Sequence, residues 1–110
     1  MTGLDSVLNI LKETLEPLGE DATGYLGEIL EAAAIHVKKD TLRRALWKEY
    51  PAKDQSFQIR VKGDRLYRLL DADLLTAAER DNALEECYDL INYATFCSRK
   101  LQDQEVAPSA

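Results

Sequence analysis

Apolar residues recur at three- and four-residue intervals from the start of the chain: Leu4, Val7, Leu8, Leu11 and Leu15. That spacing gathers them on one face of an α-helix, whereas a half-buried strand would need strict alternation. The rest of the sequence keeps this character. Leu, Ala and Glu dominate, only three prolines and five glycines occur, and extended β-branched alternation is nearly absent. An all-α fold follows. With 110 residues, the chain has the length of one domain and can bury roughly two-thirds of the surface exposed when unfolded.

Proline, glycine and capping residues divide the sequence into four expected helices. The first spans residues 3–16, opened by Thr2 with Asp5 three positions later and closed by Pro17 and Gly19. The second runs from about Thr23 to Tyr50, because Pro51 disfavours helical geometry in the residue before it. Residues 52–58 read as a loop. A shorter third helix carries Ile59, Val61, Leu66, Leu69 and Leu70, with an early turn weakened by Gly63. Thr76 and Glu79 make a second capping-box pattern, opening a fourth helix that continues through Leu101. The expectation is a small bundle of about four helices forming one domain over residues 1–101, with a polar, flexible tail over 102–110.

Fourteen basic against twenty acidic residues give a formal charge of −6. Such a chain repels a polyanionic backbone, which argues against DNA or RNA as a partner. No N-terminal apolar run of signal-peptide length and no stretch of about eighteen apolar residues occurs, so a cytoplasmic protein without a membrane span is expected. Cys87 and Cys97 stand about 15 Å apart along one expected helix, too far to pair within it. Their apolar neighbours mark them as reduced packing residues.

On the fourth helix, at about 100° per residue, Ala83, Cys87, Leu90, Ile91, Ala94 and Leu101 share the side expected to face the core. Asp81, Glu85, Asp89 and Asn92 form a stripe on the opposite side, with Phe96 beyond them. Like charges at i,i+4 destabilise a helix by a few tenths of a kcal/mol per pair. Hard cations such as Mg²⁺ take oxygen ligands of this kind, and a solvated surface is the alternative reading. Glu28 and Glu31 are i,i+3 neighbours on the second helix, and bringing them against the stripe would call for a compensating cation. Between these acidic segments lie Lys38, Lys39, Arg43 and Arg44, then Arg60, Lys62, Arg65 and Arg68, able to hold phosphate oxygens or to pair with surface acids. Trp47, Tyr50 and Phe57 gather near the end of the second helix, suited to packing or, as a minority reading, to base stacking. His36, the single histidine, has no nucleophile placed beside it by spacing, and no phosphate-binding glycine loop is present.

The stretch over residues 26–101 resembles the MazG-like all-α nucleotide pyrophosphohydrolase superfamily, in particular its short phage-associated branches linked to nucleotide modification. Glu28 and Glu31 match the family's E-x-x-E helix, and Glu86 and Asp89 match its later E-x-x-D helix. Further likeness lies in Lys39 and Asp40 followed by Trp47, in the run from Lys62 to Leu66, and in Asp89 through Ala94, which resembles a D-L-x-N-Y-A string. Gly27 stands where the family usually doubles its first glutamate, and Thr41-Leu42 where tyrosine-glycine often follows the Lys-Asp pair.

The resemblance implies Mg²⁺, or alternatively Mn²⁺, held by Glu28, Glu31, Glu86 and Asp89, with Asp81 and Glu85 as alternate ligands. It also implies a catalytic role for Glu31 and Glu86, nucleotide contacts from Lys39, Lys62, Arg65 and Asn92, and self-association into a homo-oligomer through helix packing. Two readings stand side by side: a metal-dependent nucleoside triphosphate pyrophosphohydrolase or nucleotide-binding protein, and a non-catalytic helical interaction module, including an inactive relative of those enzymes.

Overall fold

The structure is a computed structural model that describes residues 3–43 and 46–109, with the side chains of Leu4 and of residues 40–47 left outside the description. The expected cap at Thr2, the contribution of Arg43 and Arg44, and the placement of the Trp47 ring therefore lie outside the described residues. Four helices, α1 (Gly3–Leu15), α2 (Asp21–Arg43), α3 (Ala52–Leu69) and α4 (Ala77–Asp103), are joined with two short 3₁₀ turns, Glu16–Leu18 and Leu46–Glu49. No strand occurs among the described residues, and the protein is all-α. The chain divides into two compact units, Met1–Leu30 and Glu31–Ala110, with α2 contributing to both.

In the first unit, Pro17 falls at the start of the Glu16–Leu18 turn, where a missing N–H leaves no hydrogen bond unmade. Gly19 then takes φ 57°, the left-handed region that favours glycine, and its N–H donates to the Glu16 carbonyl at 3.0 Å. This reversal lets α2 begin at Asp21, slightly before the expected start.

The second unit departs from expectation where it matters for function. α2 spans Asp21–Arg43 and does not continue to Tyr50, because the 3₁₀ turn Leu46–Glu49 stands before Pro51. The expected loop over 52–58 is instead the opening of α3. Pro51, extended at φ −68° and ψ 166°, is the residue before the first turn, and its carbonyl accepts from the N–H groups of Asp54 and Gln55 at 3.0 and 3.2 Å. A proline ends the helix before it but can equally start the next one. The result is an 18-residue α3 packed along α4.

The capping box of α4 forms as expected: Thr76 Oγ1 accepts from Glu79 N–H at 3.2 Å and Glu79 Oε1 accepts from Thr76 N–H at 3.0 Å. The face that α4 buries is rotated from the expected one. Ala83, Asp89 and Phe96 are buried, while Ala94 and Leu101 are exposed and Cys87, Leu90 and Ile91 are half-buried. Apolarity alone favoured the other side. The partners of Asp89 on α2 and α3 explain the rotation, because a carboxylate with two ammonium partners can be buried.

Two substitutions test this account by denaturant unfolding. Thr76→Ala should lower stability by about 1 kcal/mol, the usual effect of losing such a cap. Gly63→Ala should raise it by about 0.5–1 kcal/mol, because Gly63 lies inside α3 and a Cβ there meets nothing within 4 Å.

Candidate functional site

Asp89 occupies the middle of α4 with only 6% of its side chain exposed. Lys39, from the C-terminal half of α2, donates to Oδ1 at 2.7 Å. Lys62, from the middle of α3, lies 3.0 Å from Oδ2. One carboxylate thus ties three helices of the second unit together. One turn earlier on α4, Glu86 is 15% exposed, with Lys62 at 3.7 Å from Oε2 and Arg65 at 4.0 Å from Oε1. Lys62 therefore stands between two carboxylates. Glu86 Oε2 is buried and makes no hydrogen bond.

The same stripe of α4 continues past Asp89. Asn92 Nδ2 donates to the Ala32 carbonyl of α2 at 2.9 Å, beside a fully buried Ala32. Next comes Phe96, whose ring centroid is 4.7 Å from that of His36 and 5.9 Å from that of Tyr93 in an edge-to-face arrangement.

Burial pushes the Asp89 carboxyl upward, and hydrogen bonds and charge from Lys39 and Lys62 outweigh that effect, so it ends below its ordinary value of 3.8. It is ionised at neutral pH. Glu79 is also held low, here by accepting hydrogen bonds from Thr76.

Of the residues singled out in the sequence, the structure brings Lys39, Lys62, Arg65, Glu86 and Asp89 into one ion-pair cluster and places Asn92 one turn beyond it. Glu28 and Glu31 are exposed on α2, in the first and second units respectively, and Asp81 and Glu85 are exposed on α4. The expected acidic stripe is split: Asp89 and Phe96 face the core, whereas Asp81 and Glu85 face outward. Among the described residues, no three or more His, Cys, Asp or Glu converge as a metal-binding group.

Two concavities meet at the Lys62–Arg65 ridge of α3. One is a cleft of about 520 Å³ walled by Tyr50, Phe57 and Tyr93, with Asp54 and Gln58 on its α3 side. The other, about 560 Å³, is bordered by Arg68, Asn82, Glu85 and Glu86. Reading residues 52–58 as a loop hid the first. Taken as helix, Gln58, Lys62 and Arg65 fall at i, i+4 and i+7 on one face, and Phe57 lies beside them.

The chain matches no family model, no curated protein and no solved structure. Among the described residues, no helix is long and apolar enough to cross a membrane.

A group held below its unfolded-state pKa contributes stability that is complete above the unfolded value and disappears as pH falls through the folded one. Acid unfolding should accordingly lose the Asp89 contribution as pH drops below about 4, the range where free aspartate titrates. Asp89→Asn should flatten that segment of the stability–pH curve. Asp89→Ala, which leaves two lysines without their carboxylate, should cost roughly 1–3 kcal/mol at neutral pH, below the full value for a buried pair because Lys39 is a third exposed.

Proposed function

We propose that this chain is a Mg²⁺-dependent nucleotide-binding protein that hydrolyses a nucleoside triphosphate, or its deoxy form, to the monophosphate and pyrophosphate. The observation that carries this reading is the position of Lys62, wedged between Glu86 and Asp89 and at the same time lining both concavities. A cation already sits between two carboxylates there. Mg²⁺ is commonly held by one or two carboxylates together with waters and substrate phosphates, so the donor set fits. The buried Glu86 Oε2 accepts no hydrogen bond and has the Lys62 ammonium 3.7 Å away, so it can turn a lone pair to such an ion or to its water.

Glu86 and Asp89 would hold the metal, joined according to the resemblance by Glu31 of α2. Bound there, it supplies charge neutralisation of the phosphates and a more acidic water. Lys62 and Arg65 bind phosphate oxygens, Arg65 through its planar fork and Lys62 as a point charge, with Lys39 adding a further positive charge. Glu86 accepts the proton of the attacking water. The water oxygen bonds to the α-phosphorus, the bond from that phosphorus to the bridging oxygen breaks, and pyrophosphate leaves with that oxygen. Asn92, donating to Ala32, holds α2 against α4 behind the site. Homo-oligomerisation through helix packing and a cytoplasmic location belong to the same reading.

One observation favours a second reading. Both Asp89 oxygens already have lysine partners, as in a structural lock within a non-catalytic helical interaction module.

Thermal unfolding with and without millimolar Mg²⁺ or Mn²⁺, across a panel of nucleoside triphosphates and with pyrophosphate measured in the same wells, separates the two. The hydrolase reading expects a metal-dependent rise in Tm and pyrophosphate release, both lost in Asp89→Asn and Glu86→Gln. Unchanged Tm and no product would transfer the cluster to the lock.

A further inference from the structure

Phe57 is 60% and Tyr50 47% exposed on the walls of the α3 cleft, and Tyr93 completes it from α4. Exposed aromatic rings around a concavity mark a binding surface more than an accident of packing. The third ring is already fixed. Tyr93 meets the buried Phe96 edge to face, and Phe96 meets the His36 ring, so this wall is set before any ligand arrives. Lys62 and Arg65 also line the cleft, and Gln58 and Asp54 add an amide and a carboxylate. A small molecule that carries a flat π-face, hydrogen-bonding edges and an anionic group matches this lining.

We propose that the Tyr50–Phe57–Tyr93 cleft is a nucleobase subsite, which stacks the base of a nucleoside phosphate on these rings while Lys62 and Arg65 hold the phosphate nearest the sugar. This rests on the nucleotide reading given above and deepens it, assigning the base to the aromatic cleft and leaving the groove beyond the ridge, beside Glu86, for the outer phosphates. Every base offers a π-face, so rings of this kind contribute affinity with little dependence on base identity. Discrimination between bases falls to Gln58 and Asp54, the groups that can meet a base edge.

Titration calorimetry on the full chain tests the assignment with AMP, ribose 5-phosphate and, in the presence of Mg²⁺, inorganic pyrophosphate. AMP should bind at least about 5-fold more tightly than ribose 5-phosphate, the lower end of a single stacking contact. Phe57→Ala should remove that preference without changing pyrophosphate binding, and Phe57→Trp should keep it. Because Phe57 is largely exposed, both variants should melt with the parent. Equal affinity for AMP and ribose 5-phosphate, or an equal loss of both in Phe57→Ala, overturns the subsite. The two proposals fail separately. Pyrophosphate binding that needs Mg²⁺ and Asp89, without any preference for AMP, sinks the base subsite alone. A Phe57-dependent preference for AMP without Mg²⁺-dependent pyrophosphate binding keeps the subsite and sinks the metal-dependent hydrolase.

Discussion

The second unit depends on the burial of one charge. Placing an ionised carboxylate in a helix interface is costly unless hydrogen-bonded counter-charges accompany it. Asp89 meets that condition by drawing Lys39 from α2 and Lys62 from α3, one to each oxygen. The requirement fixes rotation as well as proximity: α4 must turn its Ala83–Asp89–Phe96 stripe inward, even though this leaves Ala94 and Leu101 exposed. A purely apolar seam would tolerate slippage, because one leucine replaces another at modest cost. A charge with two partners does not.

Around that centre the contacts grade from ionic to aromatic along α4. Glu86 and Asp89 face lysines and an arginine, Asn92 donates to a backbone carbonyl, and Tyr93 and Phe96 form ring contacts. Polar and stacking groups thus share one helix face, with the two concavities opening at Lys62 and Arg65. Charged and aromatic side chains thus lie within about two turns of one another on α3.

Helical class and the α4 cap were legible because each rests on local chemistry: the spacing of leucines, and a threonine placed three residues before a glutamate. Lys39, Lys62, Arg65, Glu86, Asp89 and Asn92 were also singled out, and the structure gathers them along one side of α4. The opening of α3 was not legible. Pro51 carries the same local signal whether it stops one helix or starts another, and the helix-forming residues after it decide the matter. The buried face of α4 was misjudged for a different reason: helical projection ranks faces by apolarity and cannot see that a lysine on each of two other helices will neutralise an aspartate. Tertiary pairing is invisible to a pattern within one segment. Tyr50 and Phe57 were grouped from the sequence, but Tyr93 joins them only where α3, unread over residues 52–58, lies along α4.

α3 carries five basic residues against two acidic ones in a chain whose formal charge is −6. Three of those cations are met by acids, Lys62 by Glu86 and Asp89, Arg65 by Glu86 and Arg68 by Asp64, so the helix keeps its excess while its ridge is locally balanced. At physiological salt, fields from exposed charges fade over about 8 Å, so the potential at the ridge is set by these pairs and not by the net charge of the chain. Net charge and local charge are thus separate quantities in this chain, and the second is fixed by which helices meet.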